Sequence, residues 1–308
     1  MATYLITGGC GFIGSHLADA LLARGDSVRV LDDLSTGKRE NLQSQCDIII
    51  GDVADYDAVK QAMDGVDGCF HLAAVASVAR SNEDWLGTHR INQTGSVNVF
   101  DSARTAKQGK QVPVIYASSA AVYGDCKDLP IEESANRDPL TAYGADKMGS
   151  ELHARVASGV HGVATCGFRF FNVYGPRQDP HSPYSGVISI FANRMKQGQD
   201  VTIFGDGQQT RDFVYVADVV AHLMAGMDKA GEREAPVYNV CTGKETTVLQ
   251  LAETVRSLLK GSSAINHGEP RAGDIRESLG NPAQATANLG VSAKVELRDG
   301  LHALLESL

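Results

Sequence analysis

The sequence lacks the features that mark several large classes of protein. No apolar run among its 308 residues approaches the roughly 20 that a membrane-spanning helix needs, so we expect no membrane partner. The formal net charge is −9 and no basic cluster offsets it, which argues against a nucleic-acid partner. No basic region or cleavable signal precedes the first apolar strand, and we therefore expect a cytoplasmic protein.

Cysteine pairs with metal-ligand spacing are also missing. The six cysteines form no CxxC pair and have no histidine at a metal-binding spacing, so neither a metal site nor a disulfide framework is expected. We predict that they are small buried hydrophobic residues. These residues are Cys10, Cys46, Cys69, Cys126, Cys166 and Cys241. The chain is otherwise of ordinary globular composition, and its length is near that at which chains divide into two lobes.

Glycine is concentrated in the first turn. An apolar strand runs into Gly8, Gly11 and Gly14, and a helix is predicted to begin near Phe12 and Ile13. Without a Cβ, the first two glycines permit positive φ and close approach of a phosphate, and Gly14 lets the helix pack on the sheet. Such a turn can be a plain strand-to-helix corner. The amphipathic helix that follows favours a pyrophosphate site at the helix N-terminus.

The second apolar strand ends in an acidic residue. Asp32 follows the run at positions 28–31, where a carboxylate would bind the two ribose hydroxyls of NAD and repel a 2′-phosphate. The predicted cofactor is therefore NAD. Lys38 and Arg39, just beyond, leave NADP open.

Strands and helices alternate through the first half of the chain. The patterns predict strands at 47–50, 68–74, 112–117 and 163–168, with helices at 56–63, 92–106 and 142–158. This alternation is typical of an α/β fold with a doubly wound parallel sheet of the Rossmann type, which binds ligands at the carboxyl ends of its strands.

The rhythm changes after Asn172, where three prolines follow in quick succession. We predict a dinucleotide-binding domain at 1–172 and a smaller, discontinuous C-terminal substrate lobe at 173–209 and 244–308. Strand-like runs at 213–216 and 237–240, within 210–243, are expected to return to the main sheet. Helices predicted at 248–259 and 298–305 would cover the lobe.

A phenol and an ammonium group stand four residues apart at Tyr143 and Lys147, hence on one face of the predicted helix. Lys147 and a positive nicotinamide ring would both favour the phenolate form of Tyr143. A shift of about 3 pKa units needs roughly 4 kcal/mol of differential stabilisation, which we expect two cations in a partly dry pocket to supply. By itself, the spacing also fits an ordinary surface pair.

Several motifs in a fixed order resemble the extended short-chain dehydrogenase/reductase family, and within it the nucleotide-sugar 4-epimerases of the UDP-galactose and UDP-N-acetylglucosamine kind. The resemblance covers nearly the whole chain. Its marks are residues 7–14, Asp52-Val53, His71-Leu72-Ala73-Ala74, Asn92, 118–124, 143–147, 169–175, 205–207, 210–212 and 271–274.

The resemblance implies roles for residues at the cofactor. Tyr143 and Lys147 would contact the nicotinamide side, with Lys147 on its ribose, and Ser119 and Tyr143 would meet the sugar hydroxyl as catalytic groups. Asp52 and Val53 would flank the adenine. The resemblance also places the end of the strand predicted at 68–74 and a later asparagine at the cofactor. These residues are Leu72, Ala73, Ala74 and Asn92.

For the substrate, the resemblance implies that Asn172, Arg211 and Arg271 engage a uridine diphosphate and that Asp274 binds its ribose. Arginine suits this role because its guanidinium group binds phosphate with two hydrogen bonds. Two alternatives remain open. Arg211 has an ion-pair candidate in Asp212, and Asn172 is also able to cap a turn.

The implied reaction inverts C4 of the sugar. Tyr143 takes the proton of the 4-hydroxyl while C4 gives its hydride to NAD, and the hydride returns to the other face of the 4-keto sugar from bound NADH. A 4,6-dehydratase or decarboxylase would need carboxylates where this chain has Ala120 and Ala121. A non-catalytic nucleotide-sensing protein is the remote alternative.

The resemblance also bears on the sugar and on assembly. A tyrosine at the position of Ser278 restricts such enzymes to plain hexoses, so serine here predicts the UDP-N-acetylglucosamine and UDP-N-acetylgalactosamine pair, alongside UDP-glucose and UDP-galactose. UDP-glucuronate remains open, and so does a solvent-facing Ser278. The helices at 92–106 and 142–158 predict a homodimer. Val97, Phe100 and Ala103 share one face there, although a monomer core would use the same spacing.

Overall fold

The structure, a computed structural model, describes residues 1–179, 186–231, 235–271 and 275–308. In chain order the strands are β1 (Thr3–Thr7), β2 (Ser27–Asp32), β3 (Asp47–Ile50), β4 (Gly68–His71), β5 (Val114–Ser119), β6 (Thr165–Phe170), β7 (Asn172–Tyr174), β8 (Val201–Phe204), β9 (Thr210–Tyr215), β10 (Val237–Val240), β11 (Glu245–Thr247) and β12 (Ile265–Gly268). The α-helices are α1 (Phe12–Arg24), α2 (Tyr56–Met63), α3 (Val78–Glu83), α4 (Trp85–His89), α5 (Gly95–Ser102), α6 (Ala142–His161), α7 (Val187–Lys196), α8 (Val216–Lys229), α9 (Val248–Leu259), α10 (Ala283–Leu289) and α11 (Leu297–Ser307).

The main sheet is parallel, with the strand order β3-β2-β1-β4-β5-β6-β10. The chain builds outward from β1 to β3 and then crosses back to β4, so the order reverses between β1 and β4. Loops that leave these two strands diverge and open a crevice at the carboxyl edge of the sheet, which is where such folds bind ligands. The predicted doubly wound α/β class is confirmed.

Helices cover both faces of this sheet. On one face, Leu17 and Leu21 of α1 and Leu223 of α8 pack into a buried cluster with the strands. On the other, Phe100 of α5 and Ala154 of α6 belong to a second cluster. Burial on both faces explains why β4 and β6 have no exposed residue. The strands therefore appear in the sequence as apolar runs.

The helix predicted at 92–106 differs from the observed one. Helical structure already begins at Trp85–His89, passes through a π-helical turn at Arg90–Thr94 and ends at Ser102. The carbonyl of Ala103 accepts a hydrogen bond from Val112 N at 3.0 Å, and that of Ala106 accepts one from Gly65 N at 2.8 Å. Because these carbonyls bind other segments, the last predicted turn does not form.

The two strands expected to return to the main sheet behave differently. β10 lies beside β6 as predicted, whereas β9 does not join that sheet, so this part of the prediction is wrong. β9 instead pairs in parallel with β7 and antiparallel with β11. A sheet edge accepts one strand, and β10 occupies the edge at β6.

The smaller lobe has its own buried cluster, which combines two separate stretches of the chain. Phe191 and Ile203 come from the first stretch, and Leu251 and Leu301 from the second. The helices predicted at 248–259 and 298–305 are present and contribute to it. The exact division of the chain into domains remains a prediction.

Two further observations concern classes considered from the sequence. Within the four described ranges, no helix is long and apolar enough to cross a membrane, and no group of three or more His, Cys, Asp or Glu side chains is arranged to bind a metal ion. All six cysteines are free. Four of them are buried as predicted, but Cys46 and Cys126 are partly exposed, so the prediction is wrong for these two.

Candidate active site

A cleft of about 750 Å³ follows the carboxyl edge of the main sheet and extends to the smaller lobe. Most of the residues predicted to bind cofactor or substrate line it. They are Gly8, Gly11, Phe12, Ile13, Gly14, Asp32, Asp52, Val53, Leu72, Ala73, Ala74, Ser119, Tyr143, Lys147, Asn172, Arg211 and Ser278. The fold therefore brings residues from positions 8 to 278 to one cavity.

The glycine turn between β1 and α1 leaves no room for side chains. Gly8 has φ +71°, and a Cβ on it would lie 2.8 Å from the backbone of Ala73. A Cβ on Gly14 would collide with the carbonyl oxygen of Gly8. α1 begins at Phe12 without a side-chain cap, so the first N–H groups of the helix have no partner within it and are available to an anion in the cleft.

Asp32 is fixed at the end of β2 by two backbone groups. Its Oδ1 accepts a hydrogen bond from Leu34 N and its Oδ2 accepts one from Cys10 N, both at 2.9 Å. Burial raises the pKa of Asp32, and the two hydrogen bonds oppose that shift. Asp32 is thus a positioned acidic group in the wall of the cleft, and its carboxylate form suits ribose hydroxyls and disfavours a phosphate.

Asp52 and Val53 follow β3 and line the cleft. The carboxylate of Asp52 forms an ion pair with Arg90 and accepts a hydrogen bond from Ala54 N at 2.8 Å. Val53 is buried, with an exposed fraction of 4%. This corner of the cleft thus has a fixed polar group beside an apolar one.

The start of α6 positions the predicted catalytic pair. Thr141 Oγ1 caps the helix by accepting a hydrogen bond from Gly144 N at 3.0 Å, and Ser81 Oγ accepts one from Tyr143 N at 3.2 Å. Lys147, one turn later, donates from Nζ to the carbonyl of Ala117 at 2.8 Å. Its Nζ lies 5.9 Å from the centre of the Tyr143 ring. Burial lowers the pKa of Lys147 to about 8.

The ionisation of Tyr143 is affected by its burial. Burial raises the pKa of the Tyr143 hydroxyl, and a hydrogen bond with Ser119 only partly opposes the shift. In the protein without cofactor, the cost of burying a phenolate therefore exceeds what the surrounding groups supply. The expectation that Lys147 and a bound nicotinamide ring together favour the phenolate stays a prediction. Ser119 Oγ also accepts a hydrogen bond from Ala121 N at 3.1 Å, which fixes its position.

Three of the residues predicted to bind substrate, Asn172, Arg211 and Ser278, also line the cleft. Asn172 starts β7 and donates from Nδ2 to the carbonyl of Asp212 at 3.3 Å. Arg211 of β9 donates from Nη1 to the carbonyls of Thr210 at 2.8 Å and Ile275 at 2.7 Å. Ser278 is half-buried. These side chains come from separate segments of the chain, so only the tertiary structure brings them together.

Comparison with protein families matches residues 4–241 to the NAD dependent epimerase/dehydratase family. The chain belongs to this family. The match spans the glycine turn, the Tyr143 helix and the strands of the main sheet. It establishes NAD as the cofactor.

Known relatives align with this chain over most of its length. This chain is 35% identical over 309 residues to the UDP-glucose 4-epimerase of Mycolicibacterium smegmatis, and the alignment covers 98% of this chain and 97% of that protein. It is 34% identical over 275 residues to the UDP-N-acetyl-alpha-D-glucosaminuronate decarboxylase of Bacillus cytotoxicus, covering 85% of this chain and 82% of that one. The sequence relatives thus include both epimerases and decarboxylases.

Solved structures of the family are similarly close. A UDP-glucose 4-epimerase from Thermotoga maritima, solved with UDP-glucose, superposes with a TM-score of 0.94 at 35% identity and covers 99% of this chain and 98% of that one. A UDP-N-acetylglucosamine 4-epimerase from Methanobrevibacter ruminantium, in complex with UDP-N-acetylmuramic acid, gives a TM-score of 0.93 at 32% identity, covering 99% and 97%. Both support the Rossmann-type fold described above.

Two of the residues predicted to bind cofactor or substrate, Asn92 and Arg271, do not line the cleft. The buried amide of Asn92 binds the backbone of Val75, accepting at 2.8 Å and donating at 3.2 Å, so it supports the cleft wall without lining it. Arg271 is exposed and stacks 3.9 Å from the centre of the Phe204 ring, outside the cleft lining within the described residues. Asp274 lies outside the described residues.

A buried polar network next to the predicted catalytic residues was missed by sequence reasoning. Glu151, one turn after Lys147, accepts hydrogen bonds from Ser118 Oγ at 2.6 Å and from Arg169 at 2.8 and 2.7 Å. Arg169 also donates to the hydroxyl of Tyr123 at 2.8 Å. The four-residue spacing of Lys147 and Glu151 places both on one helix face, which could have pointed to Glu151. Its partner Arg169, however, is 18 residues further along the chain, so the ion pair could not be read from local spacing.

Proposed function

We propose that this protein is a UDP-hexose 4-epimerase that inverts C4 through a transient 4-keto sugar. The observation that carries the proposal is the convergence of Ser119, Tyr143 and Lys147 on a cleft that Asn172 and Arg211 also line. The cleft thus offers groups for proton transfer together with a guanidinium group for an anionic substrate. The epimerases among the relatives support this assignment.

The fit of NAD rests on the glycine turn and on Asp32. We propose that the uncapped start of α1 binds its pyrophosphate, that Asp32 binds a ribose, and that Asp52 and Val53 flank the adenine. Leu72, Ala73 and Ala74 would form the floor beneath the cofactor, with Asn92 holding the adjoining loop. When bound, NAD supplies the chemistry of taking a hydride from C4 and returning it.

The protein's own groups would then handle the proton and the orientation of the sugar. Tyr143 would accept the proton of the 4-hydroxyl and later return it, and Ser119 would orient that hydroxyl. Lys147 would hold the nicotinamide ribose, since its Nζ is anchored to the carbonyl of Ala117 beside the sheet edge. The positive charge of the nicotinamide ring in bound NAD would lower the pKa of Tyr143 and so favour its phenolate form.

On the substrate side, we propose that Asn172, Arg211 and Arg271 engage the uridine diphosphate and that Asp274 binds its ribose. Arg211 lines the cleft and is oriented by the two carbonyls it contacts, which is the arrangement a phosphate-binding arginine needs. Arg271 lies on the exposed side of Phe204, so its contribution would require it to turn towards the bound nucleotide.

Decarboxylation is less well supported by the cleft. Ala120 and Ala121 follow Ser119 and line the cavity, and neither methyl group is able to transfer a proton. Glu277 also lines the cavity, however, so it does contain a carboxylate. Product analysis separates the two reactions, because epimerisation conserves every atom of the sugar whereas decarboxylation releases carbon dioxide.

For the sugar, we propose the UDP-N-acetylglucosamine and UDP-N-acetylgalactosamine pair, alongside UDP-glucose and UDP-galactose. Ser278 lines the cleft and is half-buried, which supports the proposal that a small side chain here leaves room for the 2-acetamido group that a tyrosine would exclude. Overpacking of this kind costs about 1–3 kcal/mol, which corresponds to a roughly 5- to 150-fold loss of productive binding.

The test offers the two pairs above and the UDP-glucuronate pair to the wild type, to Ser278→Tyr and to Ser278→Ala, without added NAD. We expect C4 inversion of both proposed pairs, selective loss of the acetamido activity in the tyrosine variant, and unchanged specificity in the alanine control. Unchanged specificity in both variants would contradict the sugar assignment. Release of carbon dioxide, or a need for stoichiometric added NAD, would contradict epimerisation.

We propose in addition that the protein forms a homodimer through α6. Leu152, Val156 and Val160 form an exposed apolar row on this helix, with exposed fractions of 44%, 49% and 71%. The expected face of Val97, Phe100 and Ala103 serves the monomer core instead, since only Val97 is exposed. Light scattering should give about twice the chain mass of 32.7 kDa, and Val156→Glu should shift it to that of one chain.

A further inference from the structure

Asp212 of β9 is a carboxylate with no exposed surface at the substrate end of the cleft. Its Oδ1 accepts hydrogen bonds from Thr242 N at 2.8 Å and Thr242 Oγ1 at 2.7 Å. Its Oδ2 accepts hydrogen bonds from Gly243 N at 2.9 Å and Gly280 N at 3.4 Å. Four donors from two other segments of the chain therefore meet on one buried side chain.

The chemistry of these partners favours the ionised form. Three of the four groups are backbone N–H donors, and an ionised carboxylate accepts from all of them without donating. Burial raises the pKa of Asp212, and its hydrogen bonds with Thr242, Gly243 and Gly280 oppose that shift. The site stabilises a buried negative charge through donor groups that belong to loops, so the charge in turn holds those loops in place.

The loops held in this way adjoin residues proposed to bind the substrate. Asn172 donates from Nδ2 to the backbone carbonyl of Asp212 at 3.3 Å. Arg211 directly precedes Asp212 in β9. Ser278 lies two residues before Gly280, whose N–H group binds the Asp212 carboxylate. Through its backbone and its side chain together, Asp212 thus adjoins the three described residues that line the cleft and are proposed to bind the substrate.

We propose that Asp212 is a positioning residue, whose carboxylate sets the relative placement of Asn172, Arg211 and Ser278 for binding of the UDP-sugar. It does not line the cleft itself, so its action passes through its neighbours. The inference rests on the proposed function, because it takes a uridine diphosphate as the ligand. It predicts that loss of the carboxylate weakens nucleotide binding more than it slows the chemical step.

The direct test is Asp212→Asn, which keeps the shape of the side chain. The new NH₂ group replaces an acceptor with a donor, so at least one backbone N–H donor of the loops loses its acceptor. Asp218 provides a matched control. It is also buried, with an exposed fraction of 6%, and it accepts hydrogen bonds from Lys294 N and Val295 N, both at 3.0 Å, away from the cleft lining.

The measurements use the full chain with its cofactor, UDP as the calorimetric probe, and steady-state kinetics with the best UDP-sugar. For Asp212→Asn we expect the Kd of UDP and the KM to rise at least tenfold, with kcat within about threefold and NAD content unchanged. Asp218→Asn should lower the thermal midpoint but leave the Kd and KM within twofold. Equal effects of both variants, or a Kd within twofold in Asp212→Asn, would overturn the proposal.

A second variant keeps the test decisive if Asp212→Asn does not fold. Thr242→Val removes one of the two donors to Oδ1 and retains the carboxylate. It should raise the Kd of UDP about threefold without changing kcat, and an unchanged Kd in a folded protein would overturn the proposal. If the wild type neither binds UDP nor interconverts a UDP-sugar, both the proposed function and the positioning role of Asp212 are refuted. An active wild type with an unaffected variant refutes the positioning role alone.

Discussion

At the cofactor end of the cleft, the wall is formed by strand ends and turns within the first 74 residues. Its shape requires glycine at positions 8 and 14, because a Cβ on Gly8 or Gly14 would collide with neighbouring backbone atoms. At the proposed substrate end, Asn172, Arg211 and Ser278 come from separate segments, and Asp212 lies beside them, binding Asn172 through its backbone carbonyl and Gly280 N through its buried carboxylate. Adding a side-chain atom at the cofactor end should therefore weaken binding of NAD. Removing a hydrogen bond at the other end should weaken binding of the UDP-sugar, so variants should separate cofactor binding from substrate binding.

The largest effect is expected between the two ends, at Tyr143. Tyr143→Phe should lower kcat by about 10²–10⁴-fold, the usual size of acid–base effects, while NAD content and UDP affinity stay unchanged. Steady-state kinetics and calorimetry measure both. Tyr174→Phe removes the same kind of oxygen, which donates to the carbonyl of Leu297 at 3.3 Å, and should leave kcat unchanged. Full activity of Tyr143→Phe would remove this residue from the mechanism.

The support beneath both ends is tested by Glu151→Gln. Glu151 and Arg169 are buried, with side-chain exposures of 1% and 4%, and breaking such a pair leaves an uncompensated charge. We expect a loss of about 3–5 kcal/mol in the free energy of unfolding, measured with urea. Glu296→Gln breaks an exposed pair with Lys244 and should leave the urea midpoint unchanged. Equal midpoints for the two variants would show that the buried pair is not required.

The cofactor end is tested by Gly14→Ala. The added Cβ would collide with the backbone at Gly8, and overpacking of about 1–3 kcal/mol should weaken NAD retention by roughly 5- to 150-fold while UDP affinity changes less. Gly159→Ala is the control, because no atom lies within 4 Å of its added Cβ on exposed helix α6 surface. Equal loss of NAD and UDP binding in Gly14→Ala would break the comparison.

The smallest effect concerns pH. Because burial lowers the pKa of Lys147 to about 8, kcat/KM should decline above that pH, and the positive charge of bound NAD would move the decline lower. In Lys147→Arg the side chain remains charged, so the residual activity should lack this decline. The same decline in both proteins would assign it to another group.

The free energy of unfolding should also depend on pH through Lys147. The unfolded pKa of lysine is about 10.4, above the value in the folded protein. Lys147 therefore destabilises the fold below pH 8, where its buried form is charged, and this cost is relieved as the pH rises from about 8 towards 10.4. Lys147→Met should remove this contribution from the dependence of the urea midpoint on pH.

The fold class and most elements of the first lobe could be predicted from local sequence patterns, and Asp32 favoured NAD as the cofactor. Strand and helix periods are local properties, and the spacing of Gly8, Gly11 and Gly14 specifies a turn that needs no distant partner. The apolar strand before Asp32 and the four-residue spacing of Tyr143 and Lys147 are local in the same sense. These features were therefore open to prediction.

Tertiary structure decided what depends on distant contacts. β9 pairs with β7 because β10 occupies the edge of the main sheet, and no pattern within β9 specifies that choice. The raised pKa of Tyr143 follows from burial by other segments. Asp212 appeared in the sequence only as a possible partner of Arg211, whereas its four donors lie 30 to 68 residues further along the chain. Burial and long-range hydrogen bonds arise on folding, so local patterns do not specify them.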